Sequence, residues 1–291
     1  MNSQPSYYTE SGKVSPSYLV LAILVAIVIS MLLGYVYSAA TIHIPLIYAN
    51  VLILLGVSIL LGYVALALCK LSRVRNGTVR YVFVLSMGII VWYVQWSVFA
   101  YFYITGELPG LVELGNNLSW AFYGSEQWDA LYYYYVEGGF EVGRVHIFEL
   151  ALLPIWIIEF VILLGAPFYW ATKYVPQPYS EDYEQWYEKR TLLKEFRVIT
   201  DSHLTLEKLH TDAVSFLDSL QSTSRAAHAK VHVYHMPRER QQYLLIETVT
   251  FEGKDNSRKA TPLVHNIAVS NEQARLLIER FDNEKAGFSL F

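Results

Sequence analysis

The stretch 150–171, LALLPIWIIEFVILLGAPFYWA, constrains this chain more than any other. It is long enough to cross a bilayer and holds one carboxylate, Glu159, near its middle. A hydrocarbon core of about 30 Å takes roughly 20 residues of helix, and an acid at that depth costs at least ~2.5 kcal/mol unless something pairs with it. Glu159 therefore requires a partner, a proton or water.

Three further apolar runs precede it, at 18–37, 47–68 and 81–103. The predicted fold is an α-helical membrane bundle of four transmembrane helices followed by a small soluble α+β domain. Charge divides the chain the same way. Residues 1–172 carry six of the 22 Lys and Arg and nine of the 26 Asp and Glu, although apolar residues make up 54% of the whole. The expected organisation is a disordered N-terminal tail 1–17, a transmembrane domain 18–172, a linker 173–180 around Pro176 and Pro178, and a soluble domain 181–291. Ser38-Ala39-Ala40 has the look of a signal-peptide cleavage site. The apolar core before it is too long and its leading charge too weak for that reading.

Lys70, Arg73, Arg75 and Arg80 fall within a stretch that contains no acid. Positive loops stay in the cytoplasm, and fixing topology is the favoured role of these bases; attraction of anionic lipid, at about 1 kcal/mol per charge, is the alternative. The loop 104–149 has the opposite character, with seven acids and one base, Arg144. It is expected outside, with both termini cytoplasmic. It is dense in aromatics, and residues 125–136 read as a helix at the outer surface, started by Ser125 and stopped by Gly138-Gly139. Asn117-Leu118-Ser119 is a glycosylation sequon, meaningful only in a eukaryotic secretory pathway. In the second span Gly56, Ser58 and Gly62 predict close helix packing.

Gln95 in the third span lies within about a turn of Glu159 in depth, counting ~1.5 Å per residue. Pro154 is expected to free a carbonyl near this level. His146 and Glu149 stand at the outer mouth of the same helix. Three roles compete for Glu159: a protonated acid hydrogen-bonded to Gln95 or a tyrosine, a contact with a partner membrane protein or a second copy, or a proton or cation site in a transport path. A reaction centre combining His146, Glu149 and Glu159 is disfavoured, since residues 146 and 159 stand about 20 Å apart along a helix axis.

The motifs IPLIYAN in the first link and KLSRVRN after the second span, with the stretches 156–159 and 128–139, resemble those of an uncharacterised group of bacterial four-span membrane proteins with a cytosolic C-terminal domain. The resemblance implies a bacterial inner membrane and no established activity.

In the soluble domain, 181–197 reads as a mixed-charge helix, and Leu206, Leu209, Ala213, Phe216, Leu217 and Leu220 mark a second. From Ala229 the period changes to two, predicting a three-stranded antiparallel sheet with one apolar face carrying Tyr243, Leu245, Val249 and Phe251. Ser270 with Gln273 opens a closing helix as a capping box. The expected order is α-α-β-β-β-α. His228 and His232 share a strand face while His235 points away, so no metal site is expected and the three read as solvated. Asp201, Ser202 and His203 are adjacent and cannot form a hydrolase triad. No P-loop, dinucleotide fingerprint, kinase motif or zinc spacing occurs, so no catalytic residue and no cofactor is assigned. A net charge of −4 without a basic cluster in the soluble domain argues against nucleic acid. The favoured expectation is a membrane-anchored interaction module, its soluble domain binding a partner protein or a second copy. The alternative is a small transporter or channel using Glu159.

Overall fold

The computed structural model describes residues 6–44, 46–110, 112–116, 125–137, 140–142, 145–147, 149–199, 202–220, 227–252 and 257–282. The chain forms two compact units: Ser11–Tyr174, and Met1–Glu10 together with Val175–Phe291. The sequon 117–119, the glycine pair 138–139, Asp201 and the turn 253–256 lie outside the described residues.

The first unit contains α1 (Pro16–His43), α2 (Ile47–Leu71), α3 (Gly77–Thr105), α4 (Ser125–Glu137) and α5 (Leu152–Lys173). A hairpin of β1 (Phe140–Val142) and β2 (Val145–Ile147) precedes α5. Four helices, α1, α2, α3 and α5 with its leading turn, are long and apolar enough to cross a membrane. They outrun the apolar stretches that signal them, and at α3 capping groups set both ends. Asn76 Oδ1 accepts the Val79 N–H at 3.1 Å to start α3. Gly106, at φ +75°, closes that helix by donating its N–H to the Phe102 carbonyl at 2.8 Å, a left-handed position that glycine adopts without strain.

In the bundle α1 packs on α2 and α3, and α5 packs on the same two, leaving α1 and α5 diagonally opposed. The buried stripe of α1 is Ala22, Ala26, Ser30, Gly34 and Ser38, a small residue at every fourth position. The glycines of α2 behave less uniformly than expected. Gly62 meets Trp170 and Pro167 of α5, whereas Gly56 faces open space. Large apolar side chains such as Leu24, Val28, Leu52 and Val161 cover the outside of the bundle.

The second unit runs β3 (Tyr179–Ser180), β4 (Gln185–Trp186), β5 (Glu188–Thr191), α6 (Ser202–Ser219), β6 (His228–His235), β7 (Gln241–Glu252), β8 (Ser257–Ser270) and α7 (Asn271–Phe281). Two sequence expectations are corrected here. The helix expected over 181–197 is a β3–β4 hairpin turning through Glu184 at φ +49°, followed by β5. The sheet accordingly has four strands, in the order β5-β6-β7-β8, with every neighbour antiparallel.

One sheet face packs on the helices. Leu209, Ala213 and Leu217 of α6 and Ala274, Leu277 and Phe281 of α7 meet Val231, Val233, Leu244 and Ile246. Irregular register between β7 and β8 around Ile246 separates residues expected together. Val249 joins the helix-covered core, while Leu245 packs on the other face with Tyr187, Tyr234, Met236 and Tyr243. The sheet is therefore apolar on both sides. The capping box is present, Ser270 Oγ accepting the Gln273 N–H at 3.1 Å. Inside α6, Asp212 leaves helical geometry, and its carboxylate accepts the Ser215 N–H at 3.0 Å and is held below the usual carboxylate range by the Ser215 hydrogen bonds.

Residues 6–8 lie within the stretch 1–17, where the sequence suggested a disordered tail, and pair with the sheet of this unit. Tyr7 pairs antiparallel with Ile267 on the outer edge of β8. The Tyr8 N–H donates to the Asn266 carbonyl at 2.9 Å, and the Ala268 N–H donates to the Ser6 carbonyl at 2.8 Å. The Tyr8 ring stands edge-on to Tyr243 at 5.4 Å, and burial pushes its phenol up to about 12. Such a pairing joins residues some 260 positions apart, so local pattern carries no trace of it.

Candidate functional site

Glu159 takes its partner from the helix diagonally across the bundle. The Tyr37 hydroxyl of α1 donates to Glu159 Oε1 at 2.6 Å, within the range of O–H···O⁻ bonds. Tyr37 is only 3% exposed, so its ring is buried in the bundle and its hydroxyl meets the acid there. Gln95 sits at a similar depth, as the Trp92–Phe160 and Trp96–Trp156 ring contacts at 5.2 and 5.0 Å show. No hydrogen bond joins it to Glu159. Its side chain is buried and its Oε1 has no hydrogen-bond partner, a state it shares with Ser30 Oγ, Ser38 Oγ and Trp92 Nε1.

Pro154 falls in the first turn of α5, where a missing N–H breaks no hydrogen bond. Pro167 is the proline inside that helix. It removes the donor that the Leu163 carbonyl would otherwise have, and this carbonyl lies against Gly88 of α3.

Toward the β1–β2 end of the bundle, aromatic rings continue from the acid. Tyr134 of α4 stacks on Trp156 at 6.4 Å with an interplanar angle of 8°, and meets Phe99 at 4.7 Å and Tyr103 at 5.7 Å. The Tyr103 hydroxyl donates to Glu137 Oε2 at 3.4 Å. Burial, then the nearby Glu159 and Tyr103, push the Tyr134 phenol up to about 12. Sequence reasoning found the aromatic loop but not that one of its tyrosines stacks on Trp156, about one turn from Glu159. Glu149 stands exposed in the turn before α5, at φ +47°. His146 lies in β2, opposite Glu141.

At the other end, the basic residues are drawn inward. Lys70 is exposed, while Arg75 and Arg80 are buried. The Arg73 guanidinium stacks on Tyr18 and that of Arg80 on Tyr174, each 4.6 Å from the ring centre. The Gly12 N–H donates to the Arg75 carbonyl and the Arg75 N–H to the Lys13 carbonyl, at 2.9 and 3.0 Å. Aromatic faces hold the Arg73 and Arg80 side chains, and backbone hydrogen bonds fix the main chain at Arg75.

In the second unit, no group of three or more metal-binding side chains comes together among the described residues. The histidines are not solvated as expected, since His228 and His232 are both buried. His232 bridges strands, with Nδ1 2.8 Å from Thr191 Oγ1 of β5 and Nε2 2.9 Å from Glu247 Oε2 of β7. Burial holds its pKa below the ordinary 6.5, with Lys189 and Lys230 acting in the same direction and Glu247 opposing them. A histidine depressed in the folded state contributes stability that is present above the unfolded value and lost as pH falls through the folded one. Thermal unfolding of this unit is therefore expected to shift to lower temperature as pH drops below 6.5, and His232→Gln should flatten that dependence.

Compared with protein-family models, curated proteins and solved structures, the chain matches none.

Proposed function

We propose that the chain is a multi-pass protein of the bacterial inner membrane, with both termini cytoplasmic, that presents its α+β unit as an anchored interaction module. Its partner is an extended polypeptide taken up along the outer edge of β8. The observation that carries this reading is the segment already seated there, residues 6–8 on Asn266–Ala268. Strand addition to an open edge draws affinity from main-chain hydrogen bonds and selectivity from alternate side chains.

The rest of the sheet perimeter is guarded. β5 is short and reads EKRT, and β8 carries Lys259 and Pro262 below the seated segment, devices that deter strand pairing. Asn266–Ala268 carries neither charge nor proline. Residues before the first span and after the fourth belong to one folded unit, which supports an even number of crossings. The acid-free basic loop supports the cytoplasmic side for it.

Tyr8→Pro deletes the N–H that bonds Asn266, a loss of about 0.5–1.5 kcal/mol, and so loosens the resident segment. Purified in mild detergent, this variant is expected to carry a second polypeptide, a partner or another copy, in greater stoichiometry than the wild type. A monodisperse monomer from both proteins would overturn the reading. The Tyr37–Glu159 bond favours a second reading, a small transporter or channel. Ion flux in proteoliposomes that is absent, or unchanged in Glu159→Gln, removes it.

A further inference from the structure

The described residues place four ionisable oxygens in sequence from the interior of the bundle to an exposed acid. Glu159 accepts from Tyr37, and Tyr134 stacks at 6.4 Å on Trp156, about one helical turn before Glu159. Tyr103 stands ring to ring with Tyr134 at 5.7 Å and hydrogen-bonds Glu137, which is exposed at the end of α4. Tyr37 suits either state of the acid. A phenol hydroxyl both donates and accepts, so it serves a carboxylate by donating and a protonated acid by accepting after its hydrogen rotates. Gln95 Oε1 and Ser38 Oγ add buried polar atoms with no partner.

We propose that Glu159 is a proton-binding site opened to the aqueous phase on the side of residues 104–149 through Tyr134, Tyr103 and Glu137, so that its charge follows the pH on that side. The step is a protonation. One proton passes from bulk water to the Glu137 carboxylate, along the phenol hydroxyls, and onto Glu159. Glu159 changes from anion to neutral acid, and only O–H bonds form and break. From α1 the acid is faced by Tyr37, Tyr134 of α4 stands on Trp156 about one turn away, and no charged group of α2 or α3 acts on it among the described residues. The proposal rests on the membrane-spanning orientation given above, and on no transport activity.

Infrared difference spectroscopy of the full chain tests it. In detergent, where sidedness plays no part, acidification is expected to produce a protonated-carboxyl band that is lost in Glu159→Gln. Tyr134→Phe removes one hydroxyl from a ring stack and keeps the test open if Glu159→Gln does not fold. It should slow the appearance of the band by about tenfold or more, the scale of a lost proton-transfer partner. In oriented vesicles the band is expected to follow the bath that contacts residues 104–149. No Glu159-dependent band, an unchanged rate in Tyr134→Phe, or a response to the opposite bath alone would each overturn the proposal. Cysteine labelling of residues 129–137 from either bath reports orientation separately, so a wrong topology is distinguished from a wrong site.

Discussion

Phe196→Ala is expected to unfold the α+β unit while leaving the helical unit intact. Phe196 is fully buried and the largest such side chain among the described residues. Removing a buried Phe costs about 3–5 kcal/mol from the lost transfer free energy and the cavity left behind. A domain holds only about 5–15 kcal/mol of net stability. The position also concentrates several interactions. The Phe196 N–H donates to the Ala229 carbonyl at 3.1 Å and the Ala229 N–H donates back at 2.7 Å, extending the β5 edge of the sheet. The ring stands edge-on to Phe281 at 5.4 Å, tying that edge to α7. Lys194 lies 5.3 Å from one ring and 4.9 Å from the other. Limited trypsin digestion of the full chain in detergent is expected to cleave residues 181–282 rapidly in Phe196→Ala and slowly in the wild type, with the α1–α5 fragment surviving in both. Phe196→Leu, which keeps most of the volume, should lie near the wild type. Equal protection in the alanine variant would mean that the core is centred elsewhere.

The contrast between the two units shows what a sequence displays on its surface. The four long helices are legible because a run of about 20 apolar residues has almost one physical meaning. Helices α6 and α7 are legible for a related reason, a 3.6-residue period sustained over several turns, with Ser270 and Gln273 marking where the last begins. β3, β4 and β5 are two to four residues long, too short for any period to register. Trp186, Leu192 and Leu193 at helical spacing then suggest a helix. What makes Glu188–Thr191 a strand is His232–His235, some 40 residues on. The tail before α1 is hidden in the same way, since its polar composition describes disorder equally well until Asn266 and Ala268 supply hydrogen-bond partners.

At the site, the sequence singled out Glu159 by the cost of burying an acid and placed Gln95 near it in depth. It could not choose the donor. Tyr37 reads as an interfacial aromatic at the end of an apolar run, and only the diagonal packing of α1 against α5 brings its hydroxyl to the acid. The expectation of close packing at Gly56 failed because a small residue permits approach without requiring it. The rotation of each helix about its axis, which decides which face meets a neighbour, is set by the other helices.

Gly34→Leu is expected to separate α1 from α3 and to be the most damaging single change in the bundle. A Cβ on Gly34 would lie 2.7 Å from the Val91 carbonyl oxygen and 2.8 Å from Val94 Cβ, distances that real side chains do not adopt. One of these obstacles is backbone, so the neighbour cannot rotate away. Overpacking a filled interface typically costs 1–3 kcal/mol, and Leu adds three carbons beyond the clashing Cβ, which places the cost at about 3 kcal/mol or more. In the membrane placement proposed above, the interface has no hydrophobic effect to draw it closed and relies on close contact of small residues. The other members of the stripe, Ala22, Ala26, Ser30 and Ser38, lose their fit when α1 moves out. Tyr37 lies one turn beyond Gly34, so the same displacement withdraws its hydroxyl from Glu159. Gly56→Leu is the matched control, because a Cβ at Gly56 meets nothing within 4 Å. Thermal aggregation of the purified variants in detergent measures the difference. Gly34→Leu is expected to aggregate many degrees below the wild type and Gly56→Leu within a few degrees of it, whereas equal behaviour of the two would mean that α1 and α3 do not approach at Gly34.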